Sequence, residues 1–158
     1  MNKWFYFNAM LLFIALWKLI NKHFFGTFSI HLLFGMIGLL VILFNWTRHA
    51  VFSTIRQAKD RATKIKYANI SKKVVNVHRW TGTSALLIIG CHAFLTIRHF
   101  GMWLPSMKMV SGLYASIILL GVVTSGWLRR FWPSPLKRYV HLYLGFFMVF
   151  TILWHILV

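Results

Sequence analysis

The sequence alternates between long apolar runs and shorter basic segments. Five apolar runs of about 20 residues recur along the chain, and each is long enough to cross the ~30 Å hydrocarbon core of a bilayer as an α-helix. We therefore predict an all-α integral membrane protein with five transmembrane helices, at residues 4–19, 28–46, 77–97, 110–128 and 139–158. These helices are expected to form a single domain that covers residues 1–158.

The composition separates this chain from soluble basic proteins. Of its 158 residues, 59% are hydrophobic, and 18 Lys and Arg residues stand against one acidic residue, Asp60. A net charge of +17 is typical of proteins that bind nucleic acid or an anionic membrane. Because membrane-length apolar runs do not recur in soluble basic domains, we expect membrane lipids as a partner and no nucleic acid.

The basic residues are distributed unequally between the two sides of the predicted membrane domain. One side holds the N-terminus, the loop between the second and third helices and the loop between the fourth and fifth. It carries fourteen of the 18 Lys and Arg residues: Lys3, Arg48, Arg56, Lys59, Arg61, Lys64, Lys66, Lys72, Lys73, Arg79, Arg129, Arg130, Lys137 and Arg138. The other side carries Lys18, Lys22, Arg98 and Lys108. Since cytoplasmic loops are enriched in Lys and Arg, we predict a cytoplasmic N-terminus and an extracytoplasmic C-terminus, in a bacterial inner membrane.

The cytoplasmic basic loop, at about 48–76, is the longest polar segment of the chain. Apolar residues recur in it at helical spacing between basic ones: Val51, Phe52, Ile55, Ala58, Ala62 and Ile65. This pattern predicts an amphipathic helix. Its basic face suits the anionic inner leaflet of the membrane or, as the alternative, an acidic redox partner. Lipid binding is the commoner role of such segments.

Four of the eight histidines form a regular pattern. His78 and His92 are 14 residues apart in the third predicted span, and His141 and His155 are 14 residues apart in the fifth. Fourteen residues of an α-helix turn through about 1400°, close to four full turns, and rise about 21 Å. Each pair therefore lies on one face of its helix, with one member towards each surface of the membrane.

The two helices that carry these histidines are predicted to be parallel, because a single helix separates them. His78 then stands level with His141, and His92 with His155. Two His–His pairs facing each other across the bundle are one way to hold two stacked haem irons. A single histidine near a helix end is more often interfacial, and His23, His31 and His49, which have no matched partner, are interpreted so.

The surroundings of the two inner histidines also match. A V-H-x-aromatic-x-G pattern starts at Val77 and again at Val140. Its glycines, Gly82 and Gly145, lie one turn after the histidine, where a small residue leaves room for the edge of a porphyrin. Cations that could pair with haem propionates are close in sequence: Arg79, Lys137 and Arg138 near the inner pair, and Arg98 near the outer pair.

The stretch His78-Arg79-Trp80-x-Gly82, followed by His92-Ala93, resembles the ferric reductase-like transmembrane family. That family includes ferric-chelate reductases, NADPH oxidases and the membrane haem subunit of bacterial methionine sulfoxide reductase systems. The resemblance implies two b haems, the inner one held by His78 and His141 and the outer one by His92 and His155. Many members continue into a cytoplasmic flavin and NAD(P)H domain, whereas this chain stops three residues after His155.

These patterns predict a haem-bearing membrane subunit of an oxidoreductase. We expect electrons to pass from a separate cytoplasmic flavoprotein or small acidic electron carrier, through two haem b groups, to an extracytoplasmic acceptor. Two alternatives are a non-catalytic membrane anchor or assembly subunit and a transporter of metal ions or haem. The matched histidines argue against an anchor. The spans contain no Asp or Glu, whereas cation and proton carriers commonly rely on intramembrane carboxylates.

Overall fold

The computed structural model describes residues 3–23, 29–101 and 106–158. Their regular structure is entirely α-helical, as predicted: α1 (Lys3–His23), α2 (Ile30–Gln57), α3 (Arg61–Phe100), α4 (Met107–Phe131) and α5 (Pro135–Leu157). Residue 28, where the second span was predicted to begin, lies outside the described residues, as do the side chains of Lys22 and His23.

All five helices contain a segment long and apolar enough to cross a membrane: Lys3–Asn21, Ile30–Gln57, Val77–Phe100, Met107–Phe131 and Pro135–Leu157. Large apolar side chains cover the outside of the bundle; Phe13, Leu87 and Phe147 are 66%, 67% and 60% exposed. Such a surface is unfavourable in water and suits a lipid environment. The chain is thus a multi-span integral membrane protein, which confirms the prediction from the apolar runs.

The basic segment 48–76 differs from the predicted single amphipathic helix. Residues 48–57 continue α2, and residues 61–76 form the first part of α3, which has 40 residues. The break between them lies at Asp60, whose carboxylate accepts hydrogen bonds from the backbone N–H groups of Ala62 (3.2 Å) and Thr63 (2.8 Å). This N-cap starts a new helix at Arg61. The segment is therefore a helical hairpin that extends α2 and α3 beyond the predicted spans.

The helices pack as two hairpins. Helix α2 lies along α3 and α4 lies along α5, while α3 contacts α4, and α1 contacts α2 and α5. One buried cluster joins α2 to α1 and α5: Leu11, Ala15, Leu39, Leu43, Trp46 and Val149. A second cluster joins all four helices from α2 to α5: Ile42, Ala85, Leu119 and Met148.

Helices α3 and α5 face each other across a gap. Over their described lengths, their Cα atoms stay more than 8 Å apart. Since the chain reverses direction at each connection, α3 and α5 are parallel. We call the end of the bundle with the start of α1 and the α2–α3 and α4–α5 connections the basic end, and the other the opposite end. The gap is where the structure places the matched histidines.

Two facing histidine pairs as the candidate cofactor site

The structure brings the four matched histidines together in two pairs across the gap between α3 and α5. The ring centres of His78 and His141 are 6.3 Å apart, with their planes at 89°. Those of His92 and His155 are 6.4 Å apart, at 76°. The first pair lies towards the basic end and the second towards the opposite end, about 21 Å further along the helices.

These separations match the geometry of two imidazoles that share one metal ion. An imidazole nitrogen bonds a metal at about 2 Å and lies about 1.2 Å from its ring centre, so rings on opposite sides of one ion have centres about 6.4 Å apart. Ordinary edge-to-face ring pairs span a similar distance. The distance alone therefore does not distinguish two rings that share a metal ion from two rings in edge-to-face contact. The hydrogen bonds of the ring nitrogens do.

Every one of the four rings uses Nδ1 for a hydrogen bond to an oxygen atom on a neighbouring helix. The acceptors are Asn45 Oδ1 for His78 (3.0 Å), the His31 carbonyl for His92 (2.6 Å), the Val122 carbonyl for His141 (3.0 Å) and the Lys108 carbonyl for His155 (3.1 Å). Because a carbonyl oxygen only accepts, Nδ1 carries the proton and Nε2 keeps a lone pair. No hydrogen bond to any of these four Nε2 atoms occurs among the described residues. This is the usual state of a metal-binding histidine.

Small residues let neighbouring helices approach three of these rings. A Cβ atom at Gly35 would lie 3.0 Å from His92, one at Gly112 would lie 2.9 Å from His155, and one at Gly126 would lie 3.2 Å from His141. Contacts this short require the ring to move. The close packing of backbone against ring thus depends on glycine at these positions.

The two glycines predicted to leave space for a porphyrin differ in their surroundings. A Cβ at Gly82 would meet no atom within 4 Å, so the space beside it is open. A Cβ at Gly145 would lie 3.9 Å from Trp46, in ordinary contact with a packed ring. Of these two glycines, only Gly82 borders open space.

A cavity of about 300 Å³ lies against the pair at the basic end. It is lined by both rings and by four arginines: Arg48, Arg79, Arg129 and Arg130. Arg79 was predicted to lie here. Lys137 and Arg138 were also candidates, but neither is among the lining residues, and Lys137 donates instead to the Trp132 carbonyl (2.8 Å).

The charge of this cavity is not balanced by the protein. Asp60, the only acidic residue of the chain, caps α3 instead. The Nε atom of Arg48 is buried and has no hydrogen-bond partner among the described residues. Since a buried polar group is stable only when it is hydrogen-bonded and the four arginines have no carboxylate beside them, the cavity is suited to an anionic ligand.

A second cavity, also of about 300 Å³, lies at the opposite end of the bundle. Its polar lining is Ser29, His31, Arg98 and His99, so it includes the arginine predicted near the outer pair. His31, interpreted as interfacial, is 8% exposed, and its ring centre lies 5.4 Å from that of His99. His31 is thus part of the environment of His92, in addition to accepting its Nδ1–H.

Several residues of the site were not predicted from the sequence. They are Asn45, Ser111 and Ser125 near the rings, Gly35, Gly112 and Gly126 against them, and Arg48, Arg129 and Arg130 in the cavity. One readable signal was the Ser-Gly doublet, which occurs in α4 at 111–112 and again at 125–126, with the same 14-residue spacing as the histidines.

The described residues contain no group of three or more His, Cys, Asp or Glu side chains that could hold a metal ion. Each level therefore offers two candidate ligands, and a metal ion held there would need a macrocycle or solvent to complete its coordination. No family model, curated protein or solved structure matches this chain. The function is therefore inferred from the chemistry of the two histidine pairs.

Proposed function

We propose that the chain is a haem-bearing membrane subunit that carries electrons across the bilayer, as in the ferric reductase-like transmembrane family that it resembles. One observation carries the proposal: all four matched histidines direct Nδ1 to an oxygen atom, and they face each other in pairs at 6.3 and 6.4 Å. Edge-to-face packing alone does not require four rings with the same nitrogen bonded in this way. When bound, haem b supplies a reversible one-electron couple.

The four histidines would hold the two groups. His78 and His141 would be the ligands at the basic end, and His92 and His155 would be the ligands at the opposite end. Their Nδ1 hydrogen bonds fix the tautomer and the rotation of each ring before the metal arrives, which lowers the cost of binding. Helices α2 and α4 supply all the acceptors, so they form the supporting layer of a site whose ligands lie on α3 and α5.

The arginines of the basic-end cavity supply the anion-binding part of the site. Arg48, Arg79, Arg129 and Arg130 surround the His78–His141 pair, where the two propionates of a haem would balance part of their charge through charge-assisted hydrogen bonds. At the opposite end Arg98 lines the second cavity with His31 and His99. The basic end, with four arginines in its cavity, is therefore suited to bind more negative charge than the opposite end.

The orientation in the membrane follows from the same charge asymmetry. The basic end is placed in the cytoplasm because Lys and Arg are retained there during insertion. Its charge suits an acidic electron carrier or a separate flavoprotein as the donor, since opposite charges speed the encounter. The acceptor is then extracytoplasmic, and the cavity lined by His31, Arg98 and His99 lies at that end of the bundle.

Single alanine substitutions test the pairing. His78→Ala and His141→Ala are expected to remove the same haem, and His92→Ala and His155→Ala the other, as followed by redox titration of the visible spectrum. His49→Ala is the matched control, because the His49 ring packs on Trp4 and Trp46 and should leave both signals intact. Loss of different signals from the two members of a pair, or equal loss from the His49 variant, would refute the assignment.

A further inference from the structure

Helix α4 repeats one local arrangement at two levels. At the opposite end, the Lys108 carbonyl and Ser111 Oγ each lie 3.1 Å from Nδ1 of His155, and Gly112 lies against its ring. Fourteen residues later, towards the basic end, the Val122 carbonyl (3.0 Å) and Ser125 Oγ (3.1 Å) approach Nδ1 of His141, and Gly126 lies against that ring.

The two serines are oriented in the same way. The hydroxyl of Ser111 donates to the Lys108 carbonyl and that of Ser125 to the Val122 carbonyl, each at 2.9 Å. With its proton used in this way, each hydroxyl oxygen presents a lone pair to the neighbouring Nδ1–H. The N–H of each α5 histidine is therefore shared between a carbonyl oxygen and a hydroxyl oxygen.

The histidines of α3 are held differently. The structure gives His78 one Nδ1 partner, the side-chain oxygen of Asn45, and gives His92 one, the carbonyl of His31. Each facing pair thus combines one ring with two acceptors on α4 and one ring with a single acceptor on α2. The period of 14 residues makes this asymmetry the same at both levels.

We propose that Ser111 and Ser125 are positioning residues that set the rotation and the electron-donating strength of His155 and His141, each for one level only. The inference rests on the proposed function, because it describes how these rings act as axial ligands. Accepting a hydrogen bond from Nδ1–H raises the basicity of the ligating nitrogen, and such bonds tune the reduction potential of a bound iron. A more basic ligand favours the ferric state, so removing the hydroxyl should raise the potential.

The glycines that follow the serines fix the distance between α4 and each ring. A methyl group at Gly112 would lie 2.9 Å from Cε1 of His155, and one at Gly126 would lie 3.2 Å from Cε1 of His141. The affected atom belongs to the ring itself, so the ring must turn or move away from α4. An alanine at either glycine is therefore expected to rotate one ligand and leave the other level unchanged.

The test uses the haem-loaded protein and compares serines on the same helix. Ser111→Ala should raise the midpoint potential of the haem that is lost in His155→Ala, and Ser125→Ala that of the haem lost in His141→Ala. Ser116→Ala is the control, since the Ser116 hydroxyl donates to the Gly112 carbonyl within α4, and it should shift neither potential. Ser125→Thr, which keeps a hydroxyl, should have the midpoint potential of the wild-type protein.

Electron paramagnetic resonance of the oxidised low-spin protein gives a second readout, because its g values depend on the angle between the axial ring planes. Gly126→Ala should change one of the two signals, whereas Gly121→Ala, whose new methyl would meet Leu144 at an ordinary 3.5 Å, should change neither. If the wild-type protein binds two haems and the Ser111 and Ser125 variants match Ser116→Ala in both potentials and signals, the inference is overturned and the proposed function stands. A wild-type protein that binds no haem would overturn both.

Discussion

Ala85 and Met148 pack into one buried cluster, and each lies seven residues from both histidines of its own helix. They are 1% and 6% exposed and are joined by Ile42 and Leu119. Seven residues are close to two turns of an α-helix, so these side chains occupy the histidine-bearing faces midway between the two levels. Between α3 and α5, the facing rings therefore lie at the two histidine levels, and packed side chains lie between those levels.

Shortening Met148 should destabilise the bundle at this middle layer. Met148→Ala removes side-chain atoms from a packed site, and such changes cost about 2–5 kcal/mol in well-packed cores. We expect a clear fall in the thermal unfolding temperature in detergent. The matched control is Phe147→Ala, which shortens a side chain that is 60% exposed on the outside of the bundle. Equal losses from the two variants would contradict a packed layer at Met148.

A large side chain at Gly82 should interfere with cofactor binding without disturbing the protein alone. The space beside Gly82 is open, and Gly82 lies one turn from His78 on the same face of α3. Gly82→Leu should therefore lower haem content at the basic-end level while the haem-free protein keeps its thermal stability. Gly90→Leu is the control, because Gly90 also faces open space but lies two residues from His92, roughly 200° around the helix. Full haem content in the Gly82 variant would show that this space is not used.

Reduction of the haems should depend on charge at the basic end. An acidic carrier or flavoprotein is expected to reduce them from this side, at a rate that falls as ionic strength passes ~0.15 M, where the Debye length is about 8 Å. Replacing four lysines of the α3 extension with glutamine should slow the reaction and leave the spectrum unchanged: Lys64, Lys66, Lys72 and Lys73. Stopped-flow mixing with oriented proteoliposomes measures this, with Lys18→Gln at the opposite end as control. A reduction rate that is independent of salt and unchanged in the glutamine variant would assign the basic segment 48–76 to lipid binding instead.

The start of α3 should loosen in acid. Hydrogen bonds from the backbone N–H and the hydroxyl of Thr63, and from the Ala62 N–H, hold the pKa of Asp60 below its ordinary value. Because the folded-state pKa of Asp60 lies below the ordinary carboxyl value of about 3.9, the cap is fully effective above that value. The cap is lost as the pH falls through the lower, folded-state pKa. Hydrogen exchange of the Ala62 and Thr63 amides, corrected for intrinsic rates, should rise over this range. In Asp60→Asn, which caps without titrating, exchange should be independent of pH; the same rise in both proteins would contradict the role of the carboxylate.

The sequence was sufficient to predict the spans and the facing histidines for a simple physical reason. Residues 14 apart on one helix share a face regardless of what packs against it, so His78 and His92 could be placed on one face. The parallel course of the third and fifth spans then placed His78 level with His141. The acceptors of their Nδ1 atoms were harder to predict. The Val122 and Lys108 carbonyls are backbone groups, and nothing in their side chains marks them as partners.

Other parts of the site depend on how the helices end and pack. Arg48 lies in the continuation of α2, and its place beside His78 follows from the path of that helix past the predicted span. The break at Asp60 was readable as an N-cap, but the apolar spacing on both sides of it resembles one continuous amphipathic helix. His31 looked interfacial because its burial arises from contacts with His99 and Phe100 on another helix.

The haem content of the purified wild-type protein tests the central claim most directly. The protein should be expressed with ample haem and its haem measured by the pyridine haemochrome method against protein concentration. The account predicts about two b-type haems per chain, with the absorption spectrum of six-coordinate low-spin iron. A folded protein that remains colourless under these conditions would contradict the claim that the two histidine pairs hold haem.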